Sequence, residues 1–362
     1  MARKSSKQAA AGSTRFDGRA RLLAWYRRER RDLPWRRTSD PYAIWISEAM
    51  LQQTRVEAVI GYWQRFLARF PDVRALAQAP EQDVLAAWSG LGYYRRARAL
   101  RAAAQALIER HDGEFPRDAE LVRELPGIGP YTAGAVLSIA FDLPEPLVDG
   151  NVARVFARWF AHEADAVATQ KWAWERAREL IPTGAGAGEW TQALMELGAT
   201  VCTPQRPRCE TCPVASSCAA LARGVVARIP RPKVRPEPID VELVAWVVER
   251  RGSILMEERP AEGRMAGLWQ LPTVQVSPAR PELFPSGLAL EIEPGPELGV
   301  ERHAITRHRI RMVLRRGEVG RASLPERLRW IPRDEVTALP LTGMARKALA
   351  QAFGIGKRPS GG

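Results

Sequence analysis

The chain of 362 residues is 46% hydrophobic and carries a formal charge of +13, so it can bury substantial cores and its surface attracts polyanions, nucleic acid first among them. No apolar run reaches the roughly 20 residues a membrane-spanning helix needs, and the basic start has no apolar stretch behind it, so neither a secretory signal nor a membrane anchor is expected. All 4 cysteines fall between Cys202 and Cys218, which points to a metal site in a reducing compartment, hence the cytoplasm, rather than to a disulfide framework.

In chain order, residues 1–15 read as a basic, disordered tail. From Phe16 to about Cys202 the pattern is helical. Asp40 followed by Pro41 is an N-cap and first-turn proline opening a helix with Ile44, Trp45, Met50 and Leu51. Thr54 and Glu57 have capping-box spacing ahead of a helix that carries Val56, Val59, Ile60, Trp63, Phe66, Leu67 and Phe70 on one face and stops at Pro71. Ala97, Leu100, Ala104, Leu107 and Ile108 form another stripe, closed by Gly113. Shorter helices are expected at 118–124, 131–141, 152–160, 170–181 and 189–201, giving an all-α domain over 16–227.

The stretch 228–239 contains IPRPKVRPEP, whose prolines favour an extended linker. Beyond it the period changes. Val241–Val248 and Ile254–Met256 read as strands of a hairpin around Arg251 and Gly252, and Arg311–Leu314 as another strand. Residues 240–353 therefore form a separate α+β domain, followed by a tail at 354–362.

Three clusters carry chemistry. Cys202, Cys209, Cys212 and Cys218 are spaced C-x6-C-x2-C-x5-C, which suits a [4Fe–4S] cluster, with a structural zinc ion as the rival occupant. Arg206 and Arg208 in this loop are either phosphate contacts or solvated. In LPGIGPYTA, residues 125–133, Gly127 and Gly129 make a tight turn between helices, where backbone N–H groups can receive a phosphate. In VDGNVAR, Asp149 stands at a helix N-terminus, where the macrodipole helps to keep it ionised.

Together these motifs resemble the helix-hairpin-helix glycosylase superfamily with an iron–sulfur cluster. Residues 33–57, LPWRRTSDPYAIWISEAMLQQTRVE, resemble specifically the adenine DNA glycosylase family of the MutY type. The likeness covers roughly 20–220 and implies two α subdomains with the cluster loop at 202–218. It implies that Glu48 is the catalytic acid, protonating adenine at N7, and that Asp149 stabilises the positive sugar, with Asn151 orienting water or Asp149. Tyr131 stands where lyase relatives of the endonuclease-three type have a Schiff-base lysine, so base removal without strand cleavage is expected. By the same likeness Gln53 enters the stack beside the opposing base with Thr54 supporting it, Leu91 and Tyr93 read and wedge that base, and Trp35, Arg36, Gln192 and Glu196 line the adenine pocket. Trp190 belongs to the core.

Gly267–Pro272, GLWQLP, resembles the Nudix-like domain of this family. No REx2EE helix lies between 270 and 300, so magnesium is not required and the domain recognises rather than hydrolyses. By this likeness Ile305, Thr306 and Arg307 take the places of a family loop that touches the oxidised guanine, while His308 is either part of it or a plain surface residue. The implied partner is double-stranded DNA containing adenine opposite 8-oxoguanine or guanine. A monovalent cation at the hairpin, a monomeric state and nucleoid association are also expected. Alternatives are a thymine or uracil mismatch glycosylase on the same scaffold, a non-catalytic lesion-binding protein, and a pyrophosphohydrolase in 240–353.

Overall fold

The computed structural model describes residues 10–231, 237–277, 290–320 and 323–355. Residues 1–9, 232–236 and 356–362, which hold parts of the expected tails and linker, lie outside the described residues. The chain divides into two compact units, Met1–Ala77 with Ala102–Val234, and Gln78–Arg101 with Arg235–Gly362. The helices are α1 (Ala10–Glu29), α2 (Pro41–Leu51), α3 (Val56–Arg69), α4 (Val73–Gln78), α5 (Glu81–Trp88), α6 (Arg95–His111) and α7 (Ala119–Arg123). They continue with α8 (Pro130–Phe141), α9 (Gly150–Trp159), α10 (Ala166–Leu180), α11 (Ala187–Thr200), α12 (Ala219–Ala222) and α13 (Gly343–Phe353).

The first unit is helical because its apolar residues recur at helical spacing and its helix starts are capped. Asp40 accepts hydrogen bonds from the Tyr42 and Ala43 amides, and Asp118 and Asp165 cap α7 and α10 in the same way. Helix α1 starts at Ala10, inside the stretch expected to be a tail, where alanines favour helix. The Thr54–Glu57 capping box does not form. Gln53 takes a left-handed φ of 60°, which leaves Thr54 in the turn and makes Arg55 the N-cap, with no side-chain capping bond. Phe156, Val155 and Trp159 of α9 join Trp190, Leu194 and Leu197 of α11 and Leu22 and Tyr26 of α1 in one core, as expected for Trp190.

The second unit is built on two sheets. Strands β1 (Ile239–Val247), β5 (Thr273–Gln275), β6 (Glu293–Ile305) and β7 (His308–Glu318) are ordered β5-β1-β7-β6, while β2 (Glu249–Arg250), β3 (Ser253–Glu258), β4 (Trp269–Gln270) and β8 (Leu328–Pro332) form the other. Alternation along β1 buries Val241, Leu243, Ala245 and Val247 against Met344, Ala345, Ala348 and Leu349 of α13. The turn at Arg251 and Gly252 does form, with both residues at positive φ, but it pairs β2 with β3. The expected partner β1 lies instead in the other sheet, parallel to β7 and antiparallel to β5.

Gln78–Arg101 groups with this unit although its helical pattern continues the 16–227 domain. Hydrogen bonds tie it there: the Tyr94 hydroxyl and Ser89 Oγ both donate to the Leu341 carbonyl, at 2.8 and 3.2 Å, Arg98 donates to the Ala266 carbonyl, and Arg346 to Ser89 Oγ. Among the described residues, no helix is long and apolar enough to cross a membrane.

Candidate active site

Five elements of the helical unit converge on one cleft of about 630 Å³, within the usual range for small-ligand sites. Helix α2 contributes Glu48, α8 contributes Tyr131 from its first turn, and α9 contributes its N-cap Asp149 and, from its first turn, Asn151. Helix α11 contributes Gln192, Met195 and Glu196, and the helical turn Pro34–Arg36 adds Trp35 and Arg36. Gln53 and Thr54 sit at the same cleft.

Glu48 is 4% exposed, and the Tyr131 hydroxyl donates to its Oε2 at 2.6 Å. Burial pushes its carboxyl up to about 7; the Tyr131 bond opposes this and the nearby Asp149 charge adds to it. A carboxylic acid is therefore present at neutral pH without a metal or a second acid. Burial beside Glu48 also pushes the Tyr131 phenol well above its ordinary range, so it acts as a neutral donor.

Asp149 is the N-cap of α9, accepting from the Val152 amide at 2.7 Å and from Asn151 Nδ2 at 2.8 Å. The Asn151 amide is held in turn by Arg154 Nη2 at 2.9 Å, which also donates to the Gly198 carbonyl, while Arg154 Nε donates to the Cys202 carbonyl. A Cβ on Gly198 would stand 2.7 Å from Asn151 Cβ, so only glycine lets α11 approach this loop so closely.

Opposite, Glu196 is 1% exposed and receives paired bonds from Arg31 at 2.8 Å and one from Arg36 at 2.7 Å. Burial alone would raise its pKa, but these bonds outweigh it and leave Glu196 at about 2. The cleft thus holds one carboxyl raised to about 7, able to carry a proton near neutral pH, and one fixed carboxylate, from the same residue type. Gln192 Oε1 accepts from the Tyr26 hydroxyl at 3.1 Å, which fixes its amide.

In the hairpin only Gly127 uses the left-handed region, with φ 74°; Gly129 is the extended N-cap of α8 with open space where a Cβ would stand. Leu91, Tyr93, Thr306 and Arg307 belong to the second unit. Leu91 is 7% exposed and Tyr93 53%. Thr306 and Arg307 form the exposed two-residue turn between β6 and β7, with Thr306 at φ 53°. His308 is buried, with Nδ1 facing the Ile305 carbonyl, so the surface alternative does not hold for it.

Cys202, Cys209, Cys212 and Cys218 are unpaired by disulfides and line one small cavity beside Val155, Trp159 and Leu197. Among the described residues, no three acidic, histidine or cysteine side chains converge as ligands of a single metal ion. The loop nevertheless fits a thiolate-bound group. Its four cysteines line that cavity, and Arg158 Nη1 lies 3.5 Å from Cys202 Sγ, where a cation would offset thiolate charge against the burial that pushes the Cys212 thiol up to about 12. Arg206 is exposed; Arg208 donates to the Thr200 carbonyl, closing the loop onto α11.

Arg31, Arg154 and Met195 were not singled out from sequence. Arg154 lay within the quoted VDGNVAR motif, three residues from Asn151, a helical spacing that could have flagged it. For Arg31, more than 160 residues from Glu196 by position, no local signal exists.

A helical unit with a hairpin, a cysteine loop and carboxyl groups gathered in one cleft is the arrangement with which the comparisons with known proteins agree. The family model described as HhH-GPD superfamily base excision DNA repair protein matches residues 46–182, the iron-sulfur binding domain of endonuclease III matches 202–218, and the NUDIX domain matches 243–351. The 202–218 match decides for an iron–sulfur cluster over zinc.

Among curated relatives, the adenine DNA glycosylase of Mus musculus is 40% identical over 315 residues, 72% of this chain and 61% of that protein. The adenine DNA glycosylase of Homo sapiens is 35% identical over 398 residues, 91% of this chain and 72% of that protein. The chain thus belongs to the adenine DNA glycosylase family, while spanning only about 61% of the length of its mouse relative. A solved thermostable thymine-DNA glycosylase is 29% identical with a TM-score of 0.54, covering 59% of this chain and 99% of its own.

Proposed function

We propose that the chain is a monofunctional DNA glycosylase that releases adenine paired with 8-oxoguanine, and less readily with guanine, from duplex DNA. The observation that carries this reading is a buried glutamic acid, Glu48, sharing one cleft with the N-capped carboxylate of Asp149. Flipping a base costs a few kcal/mol of stacking, and the cleft offers a flipped purine polar partners along its walls.

Glu48, protonated near neutral pH, donates its proton to adenine N7 as the C1′–N9 bond breaks and its electrons pass to the base. Adenine leaves neutral. The sugar cation faces the Asp149 carboxylate until water adds at C1′ and returns a proton to Glu48, a division of labour like that of glycoside hydrolases. Tyr131 has no amine, so no Schiff base forms and the strand stays uncut. Trp35, Arg36, Gln192 and Glu196 hold the base, and Gln53, supported by Thr54, enters the stack beside the opposing base.

Leu91, Tyr93, Thr306 and Arg307 meet the opposing base and its surroundings, and the amides after Gly127 and Gly129 take a phosphate, with a monovalent cation at the hairpin. Cys202, Cys209, Cys212 and Cys218 hold a [4Fe–4S] cluster, which when bound supplies a rigid, charged scaffold for the loop. The likeness to a thymine-DNA glycosylase favours one rival, a thymine mismatch enzyme. Incubation with duplexes containing A opposite 8-oxoguanine, A opposite G, T opposite G and U opposite G tests the reading. Release of adenine alone supports it; release of thymine or uracil with adenine left intact transfers the chain to the rival.

A further inference from the structure

The loop Gly90–Tyr94 holds Gly90, Gly92 and Tyr93 at φ of 106°, 72° and 51°. A tyrosine in this left-handed region costs on the order of 1 kcal/mol or more and persists only where its surroundings hold it. Its ring is 53% exposed, whereas Leu91 is buried, so the loop presents one aromatic face to solvent.

The holding group is Arg96, in the first turn of α6. Its side chain turns back over the loop, where Nη2 donates to the Gly92 carbonyl at 3.2 Å and lies 3.4 Å from the Leu91 carbonyl. Its guanidinium carbon lies 5.4 Å from the Trp88 ring centre and 5.5 Å from that of Tyr93. Trp88 Nε1 donates to the same Gly92 carbonyl at 3.1 Å. The cation therefore touches two aromatic rings and two loop carbonyls together, a stacked and forked role open to arginine and only partly to lysine. Burial lowers its pKa to about 10, so it stays charged at neutral pH.

We propose that Arg96 is a positioning residue that sets Tyr93 as a stacking platform for a base of the damaged duplex. The proposal rests on the glycosylase reading above and deepens it. Arg96 turns donors inward onto the loop, so it acts through the shape of the loop and not as a phosphate contact. Base stacking on an aromatic ring is worth about 1–3 kcal/mol, which sets the size of the expected effect.

The test compares wild type, Arg96→Met and Arg96→Lys by fluorescence anisotropy. One duplex carries a non-hydrolysable 2′-fluoro adenosine opposite 8-oxoguanine, and the other is undamaged. Single-turnover adenine release at saturating enzyme and thermal melting are measured in parallel. Arg96→Met is expected to raise Kd for the mispaired duplex about 10-fold or more, with undamaged-duplex affinity, saturated rate and melting temperature little changed. Arg96→Lys should recover part of the loss.

Equal weakening on both duplexes would make Arg96 a phosphate contact and overturn the proposal. Unchanged affinity, or a loss that tracks lower melting temperature and saturated rate in both variants, would overturn it as well. A wild type that fails to prefer the mispaired duplex sinks the glycosylase reading too; a wild type that prefers it, matched by Arg96→Met, sinks this inference alone.

Discussion

The Tyr131 hydroxyl donates to Glu48 Oε2 at 2.6 Å, and this bond favours the ionised carboxylate against the burial that opposes it. Removing it in Tyr131→Phe raises the Glu48 pKa. If Glu48 is the proton donor, as proposed, wild-type kcat/KM should fall as pH rises through about 7, and in Tyr131→Phe this limb should move to higher pH. A pH profile of single-turnover release checks the direction.

Replacing the acid itself has two consequences. Glu48→Gln should lower base release about 10²–10⁴-fold, the usual contribution of a general acid. Folding raises the Glu48 pKa from its ordinary 4.5 to about 7, so its contribution to stability is present below 4.5 and lost as pH rises through 7. Above pH 7 the glutamine variant should therefore be more stable than wild type by roughly 3 kcal/mol, read from melting curves at several pH values.

Asn151→Ala removes one of the two bonds that orient Asp149 and deprives Arg154 of an acceptor. A hydrogen bond to a charged group is worth about 1.5–3 kcal/mol, so a drop of about 10–100-fold in saturated single-turnover rate is expected. Binding of the uncleaved duplex should change little, which an anisotropy titration checks.

Much of the site was legible because its signals are local. Asp149 caps α9 within three residues, Asp40 caps α2 in the same way, and the cysteine loop is a matter of spacing alone. The Arg31–Glu196 pair joins α11 to the end of α1 across most of the unit, and no short window carries it. Thr54 and Glu57 have correct capping spacing, yet the left-handed Gln53 placed the helix start one residue later, a tertiary choice that propensity does not encode. Strand β1 was found, but its parallel partner β7 begins about 70 residues further on, and period-2 burial identifies a strand without naming its neighbour.

Gly198→Ala tests the packing behind Asp149. Its methyl group would stand 2.7 Å from Asn151 Cβ and 3.2 Å from the Asn151 carbonyl, so helix or loop must shift. A destabilisation of about 1–3 kcal/mol is expected, together with slower base release. Urea unfolding beside single-turnover kinetics separates the two effects.

The cysteine loop makes a compositional prediction. Purified protein should contain iron and inorganic sulfide in place of zinc, and Cys212→Ser should lose most of both along with duplex affinity. Elemental analysis decides this, and a zinc-only protein would contradict it.

The most direct measurement compares single-turnover release of adenine and of 7-deazaadenine, each opposite 8-oxoguanine, by the wild-type chain. The deaza base has carbon at position 7 and cannot take the Glu48 proton there. The account predicts that both duplexes bind similarly while only adenine is released. Equal rates of release from the two would contradict it.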